Sequence, residues 1–281
     1  MTTLTLAPDT PRTATEPRGR FRDLLVAEWI KLWSLRSTPW VLGLSALVII
    51  AANLNSAKYT YDHFTAGDPA SSYFQVALND SFTLIAADIL MLVAGSVGVI
   101  VMVGEYTTGM IRTTVAAVPD RRAMLVAKAC VLTAVMLGYG ILVAGASFGL
   151  GQAVLSGRHI GLSITHPGAL RFVAAAALFA PICALIGMAL GVLIRHGAAT
   201  VAATVLVLFF LPSFFTDTHH WTADLSHAMP LTAWRRLAEV DMTNVFISHY
   251  PATVGGAWLT FAAWPLVSVL IATIAIHRRD L

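Results

Sequence analysis

The polar stretch 216–253, which lies between two apolar runs, contains histidine and aspartate side chains that could bind a transition metal. Histidine and aspartate are ligands of zinc and copper, and three of these residues, spaced at i, i+4 and i+7, would share one face of a helix. No HExxH motif accompanies them, and Trp221 and Pro230 interrupt the stretch. We therefore assign no metal and keep four residues as candidates for an alternative, metal-handling function: His219, His220, Asp224 and His227.

Asp88 is a second residue with possible chemistry, because it lies inside an apolar run. A carboxylate within the hydrocarbon of a bilayer costs at least about 2.5–3.5 kcal/mol, so its presence needs a reason. Asp88 could face the path of a transported molecule, bond to a polar neighbour on another helix, or lie near enough to the surface to reach water. All three interpretations stay open.

Motifs for holding ATP are absent from the chain. There is no G-x-x-x-x-G-K-[ST] sequence, and none of the three lysines follows a glycine. We therefore expect no enzymatic activity and no cofactor in this chain. Work driven by ATP would require a second polypeptide.

The composition indicates a membrane protein. Hydrophobic residues make up 57% of the 281 positions and charged residues 12%, whereas a soluble domain has about 25% charged residues. A helix needs about 20 apolar residues to cross the hydrocarbon of a bilayer. Six stretches are suitable: 40–57, 82–104, 123–150, 170–194, 198–215 and 254–276. The sequence thus predicts an all-α, polytopic membrane protein with six spans.

The distribution of Lys and Arg predicts the orientation, since these residues concentrate in cytoplasmic loops. With both termini in the cytosol, 13 of the 18 Lys and Arg residues face inward. The basic residues are dispersed rather than gathered on one aromatic face, so we expect no nucleic-acid partner. Residues 1–19 are rich in Thr, Pro and Arg, and we expect a disordered cytosolic tail there.

A helix is predicted over 20–37, before the first span. Phe21, Trp29 and Trp33 fall on one broad side of it, and polar residues lie opposite. This pattern is typical of a helix lying in the membrane surface. Glu28 interrupts the apolar side, so we expect it to pair with a nearby basic residue or with another part of the protein.

The loop after the second span, 105–122, is patterned more strongly than a simple connector. Glu105 can pair with Arg112 or with a basic residue of the first helix, and Gly109 permits a bend. Asp120 is placed to cap the third span. The long polar segment 216–253 lies on the other side, and its part after 231 is amphipathic and is expected to lie on or dip into the outer leaflet.

Two runs, AEWIKLWSLRSTPW at 27–40 and GEYTTGMIRTTVAAVPDRRAMLVAK at 104–128, resemble the membrane-spanning permease subunit of bacterial type-2 ABC transporters. The resemblance implies a multi-pass protein of the bacterial plasma membrane, paired with a second permease copy or paralogue. It also implies a separate cytosolic ABC ATPase that binds ATP and Mg, and usually an export function. It assigns 20–37 as a connecting helix and 105–122 as a coupling segment that contacts the ATPase.

The functional residues implied by the resemblance fall in these two segments. Those of the connecting helix are Glu28, Lys31 and Arg36, and those of the coupling segment are Glu105, Tyr106, Gly109, Arg112, Arg121 and Arg122. Two other functions stay open: a membrane-embedded enzyme or metal-handling protein that uses the His/Asp residues, and a membrane anchor without transport activity.

Overall fold

The computed structural model describes residues 20–64, 70–110, 120–215, 219–238 and 250–278, and every regular element within these ranges is helical. In chain order the helices are α1 (Phe21–Ser34), α2 (Ser37–His63), α3 (Ala70–Ser81), α4 (Leu84–Thr107), α5 (Arg121–Ser156), α6 (Ala169–Ile194), α7 (Gly197–Val205), α8 (His220–His227), α9 (Pro230–Ala238) and α10 (Val254–Arg278). A π-helical segment, Leu206–Phe210, and a 3-10 turn, Leu211–Phe214, continue α7. The predicted all-α class is confirmed.

Six of these helical segments are long and apolar enough to cross a membrane: α2, α4 with the end of α3, α5, α6, α7 with its continuation, and α10. Each corresponds to one predicted span. We call the end of the bundle at which α1 lies the α1 face, and the other end the opposite face. The predicted tail, 1–19, lies outside the described residues.

Helix α2, Ser37–His63, is longer than the predicted span 40–57, and Asn53 within it is paired inside the bundle. Asn53 is fully buried and donates from Nδ2 to Ser147 Oγ of α5 at 3.0 Å. Its Oδ1 accepts hydrogen bonds from the backbone N and the hydroxyl of Thr83, both at 3.0 Å. These bonds satisfy the amide, so the apolar run does not have to end before it.

Glycine residues let α6 pack against its neighbours at backbone distance. A Cβ atom on Gly98 of α4 would lie 1.9 Å from the carbonyl oxygen of Ala184, and one on Gly187 would lie 2.1 Å from that of Gly95. Small residues permit such close approach between helices in lipid. α6 is consequently buried along most of its length and forms the centre of the bundle.

A short helix that the sequence analysis did not predict, α3, precedes α4 and contributes its end to the second span. Gln152 of α5 holds its end by donating from Nε2 to the carbonyl oxygen of Ala77 at 2.9 Å and to Ser81 Oγ at 2.8 Å. The same glutamine accepts at Oε1 from Leu162 N at 2.6 Å. One buried amide therefore joins α3, α5 and the loop before α6.

At the opposite face, α9 packs against α6 and α10 rather than lying loosely on the bundle. Trp234 is fully buried between the rings of Phe82 and Phe179, with centroid distances of 5.9 Å to each. The amphipathic stretch predicted to lie on or dip into the membrane surface is thus embedded in the bundle up to Ala238. Its later residues, 239–249, lie outside the described residues.

Candidate functional site: a buried ion cluster at the α1 face

Helix α1 begins and ends at local signals and lies against α5. Asp23 accepts a hydrogen bond from Arg20 N at 3.0 Å, which stabilises the first turn. Only Leu35 and Arg36 separate α1 from α2, and Pro39 stands in the first turn of α2, where proline is tolerated. Leu32 and Glu28 are the buried residues of α1. The bundle therefore fixes one side of this helix.

Four charged side chains meet where α1, α4 and α5 converge, and we call them the ion cluster: Glu28, Lys31, Glu105 and Lys128. Lys31 Nζ lies 2.7 Å from Glu28 Oε1 and 3.0 Å from Glu105 Oε1. Lys128 Nζ lies 2.5 Å from Glu28 Oε2 and 2.8 Å from Glu105 Oε1. Each lysine thus bridges the same two carboxylates.

Three of the four residues of the ion cluster are buried. The exposed fractions are 2% for Lys128, 5% for Glu28 and 6% for Glu105, whereas the Lys31 side chain is 26% exposed. Two carboxylates and two ammonium groups cancel in charge, which is the condition under which buried charges are tolerated. The four residues therefore act as one unit, and each depends on the others.

Lys31 shows the electrostatic balance of the cluster. Burial alone would lower the pKa of Lys31, but its hydrogen bond with Glu28 and the negative charges of Glu105 and Glu28 together raise the pKa above its ordinary value. Its ammonium group therefore stays charged at neutral pH. Lys31 therefore contributes a positive charge to the link between α1 and the end of α4.

The ion cluster lies at both roots of the loop between α4 and α5. Glu105 is in the last turn of α4, and Lys128 lies about two turns into α5. After α4 the chain turns at Gly109, whose φ of +70° is a left-handed conformation that favours glycine. Asp120 caps α5 by accepting from Arg122 N and Ala123 N, both at 3.0 Å. Local signals thus define where the loop leaves and re-enters the bundle.

A second contact joins this region to the turn between α6 and α7. The guanidinium of Arg195 stacks over the ring of Tyr106 at 5.1 Å from its centroid. Arg195 ends α6 with a left-handed φ of 58°, so the backbone turns sharply there. The segment that follows Glu105 is therefore connected to α6 as well as to α1 and α5.

The structure brings three of the predicted residues together in the ion cluster and leaves the other described ones outside it. Glu28, Lys31 and Glu105 form the cluster, and Tyr106 and Gly109 follow it directly. Arg36 and Arg122 are exposed and Arg121 is half-buried, and none of them joins the cluster. Arg112, one of the two predicted kinds of partner for Glu105, lies outside the described residues, and the other, a basic residue of α1, is Lys31.

Sequence reasoning missed Lys128, which completes the cluster. Lys128 has no assigned role in the sequence analysis, although it is only 2% exposed. The signal was present in the sequence: Lys128 is the only charged residue of α5 after its first two positions. A lone charge within an apolar helix needs a partner, and Glu28 and Glu105 were available near the same membrane surface.

The His/Asp residues at the opposite face do not form a metal centre in the part of the chain that is described. His220 Nδ1 lies 3.0 Å from Asp224 Oδ2, and both side chains are well exposed. With His227 and Tyr250 they line a cleft of about 510 Å³. His219 precedes α8. The structure thus pairs two of the four candidates and places a third on the same cleft.

The pentapeptide at 145–149, GASFG, matches the G-x-S-x-G pattern of serine hydrolases. That pattern requires a sharp turn between a strand and a helix that exposes the serine. Here Ser147 is fully buried in the middle of α5 and accepts a hydrogen bond from Asn53. This serine is a structural residue of the bundle.

No protein-family model matches this chain, and no curated protein matches its sequence. The function must therefore be inferred from the sequence and structure of this chain alone. The most specific of them is the ion cluster.

Proposed function

We propose that the chain is the permease subunit of an ATP-driven ABC transporter of the type-2 class, working as an exporter in a bacterial plasma membrane. A separate cytosolic ATPase binds ATP and Mg, and contacts this chain through the loop 105–122. A second permease copy or paralogue completes the membrane part. Both termini and the α1 face are on the cytosolic side in this proposal.

The observation that carries the proposal is the ion cluster at the roots of that loop. A partner that moves the loop also moves the end of α4 and the start of α5. Because Lys31 and Lys128 each bridge Glu28 and Glu105, the movement is passed to α1 without a flexible joint. Rigid-body shifts of packed helices are a common way to transmit such movement. This arrangement supports mechanical coupling better than simple anchoring.

The resemblance of 27–40 and 104–128 to type-2 permeases supports the same assignment. Glu28 and Lys31 come from the first run, and Glu105 and Lys128 come from the second. The two runs, which are about 75 residues apart, thus meet in one cluster, where Lys31 Nζ contacts Glu105 Oε1. The ion cluster needs charges from both runs, which explains why both runs carry them.

The proposal is tested by removing the ionic link while keeping the charge balance. The double variant Glu105→Gln, Lys128→Met removes one charge of each sign, so the remaining Glu28 and Lys31 stay paired. We expect the protein to insert and to co-purify with an ATPase, but the ATPase turnover in proteoliposomes should fall to the level of the ATPase alone. Turnover and co-purification are measured on the same preparations.

The matched control is Lys58→Met, Asp62→Asn, which also removes one charge of each sign but from exposed positions at the opposite face. It should turn over ATP like the wild type. Absence of any co-purifying ATPase would contradict the proposal. A partner whose turnover never depends on this chain would favour the membrane-anchor function instead.

A further inference from the structure

The turn between α6 and α7 consists of two residues, Arg195 and His196. Arg195 closes α6 by donating its backbone N–H to the carbonyl oxygen of Gly191 at 3.0 Å. Its φ of 58° lies in the left-handed region, which the end of a helix usually reaches with a glycine. An arginine at this position therefore has a backbone cost that glycine would avoid.

The guanidinium of Arg195 contacts an aromatic ring rather than a carboxylate. Its Nε and Nη2 are buried without a hydrogen-bond acceptor, and it forms no ion pair with Glu105, whose Oε2 is also without a donor. The guanidinium lies over the face of Tyr106, 5.1 Å from the ring centroid. A cation in this position is attracted by the ring, and more strongly where water is excluded. The side chain thus contributes its contact with Tyr106 rather than stability of the turn.

The turn lies directly against the last turns of α4. A Cβ atom on Gly191 would lie 3.0 Å from Cβ of Met102, and one on Gly197 would lie 3.9 Å from Cγ1 of Val103. Tyr106 is in the last turn of the same helix. A displacement of the end of α4 therefore acts on this turn through atoms that are in contact.

An arginine at the end of a span can also serve only to keep its charge in water or among lipid headgroups. The two residues of the turn differ in this respect. His196 is exposed, whereas Arg195 is half-buried and its guanidinium lies against α4. Anchoring at the membrane surface does not account for this placement of the charge.

We infer that Arg195 is a positioning residue for coupling, which passes movement of the loop 105–122 through the Tyr106 ring to the turn between α6 and α7. The inference rests on the proposed function and adds a second route to it. The ion cluster links the end of α4 to α1 and α5, whereas Arg195 links it to α6 and α7. Helices that shift as rigid bodies need such fixed contacts between them.

The test measures ATPase turnover in proteoliposomes that contain the full chain and its co-purified ATPase. Asparagine accepts the left-handed backbone but has no guanidinium, so the variant is Arg195→Asn. We expect it to insert, to co-purify with the ATPase and to be no less stable than the wild type in SDS titrations. The turnover that depends on this chain should fall about fivefold or more. Arg195→Lys keeps a cation over the ring and should retain more of that turnover.

Tyr106→Leu removes the ring from the same contact and should lower the turnover to a similar extent. The double variant Tyr106→Leu, Arg195→Asn should show little further loss, because the two residues act as one unit. Independent losses that multiply in the double variant would overturn the inference. A lower stability of Arg195→Asn with unchanged turnover would also overturn it, since this result is expected of a purely structural residue.

The matched control is Arg278→Asn, which removes a positive charge from an exposed position at the α1 face. It should keep wild-type turnover, and a loss equal to that of Arg195→Asn would contradict the inference. If Arg195→Asn turns over ATP like the wild type while Glu105→Gln, Lys128→Met is uncoupled, this inference fails alone. If turnover does not depend on the wild-type chain at all, it fails together with the proposed function.

Discussion

At the scale of single residues, the ion cluster is a set of charges that is stable only when complete. Glu28 uses both oxygens, one for each lysine, and Glu105 Oε1 accepts from both lysines. Removing one residue of the cluster leaves an uncompensated charge in the protein interior. The free-energy cost of that buried charge exceeds the net stabilisation that the ion pair contributed. The exposure of each member decides how large that cost is.

Lys128→Met should therefore destabilise the protein by roughly 3–5 kcal/mol, since Glu28 and Glu105 lose a buried partner. Lys31→Met should cost less, because Lys31 lies partly in solvent and Lys128 still bridges both carboxylates. Unfolding titrations with SDS in mixed micelles measure both.

The double variant Glu105→Gln, Lys128→Met serves as the internal comparison, because it restores the charge balance. It should be more stable than Lys128→Met alone, as expected for residues that are coupled. If the effects of Glu105→Gln alone and Lys128→Met alone on the free energy of unfolding add up to that of the double variant, the two residues do not belong to one coupled cluster.

At the scale of the helices, the sequence was sufficient for the number and type of elements but not for their contacts. The six apolar runs gave all six spans, because length and composition determine them in a bilayer. The partners of Asn53 were not predicted, since they are 30 and 94 residues away. α3 and the role of Lys128 were missed for the same reason: each depends on side chains from a distant helix.

Where α4 packs closely against α6, a single added methyl group should be poorly tolerated. Gly98→Ala should destabilise the protein by roughly 1–3 kcal/mol, because the new Cβ would lie 1.9 Å from the backbone oxygen of Ala184 and the helices must move apart. The same SDS titration measures the effect.

Gly43→Ala in α2 is the matched control, since a Cβ there meets nothing within 4 Å. It should be neutral or slightly stabilising, because alanine has the higher helix propensity. A loss in Gly43→Ala as large as that in Gly98→Ala would attribute the effect to glycine itself rather than to helix packing.

At the scale of the whole molecule, six crossings bring the end of α10 back to the α1 face, so one orientation decides which face meets which compartment. The ion cluster and the roots of the loop 105–122 share the α1 face, and the arginines of α9 lie at the opposite face. The excess of Lys and Arg predicts that the α1 face is cytosolic. Only that orientation exposes the loop to a cytosolic ATPase.

Labelling in intact cells with a membrane-impermeant maleimide tests this orientation. After Cys130 and Cys183 are replaced by alanine, Arg122→Cys at the α1 face should react only in permeabilised cells. Asp62→Cys at the opposite face should react without permeabilisation. Both positions are exposed, so access to the compartment, rather than burial, decides the result. The reverse pattern would place the ion cluster outside the cell, where a cytosolic ATPase cannot contact it, and would exclude the coupling function.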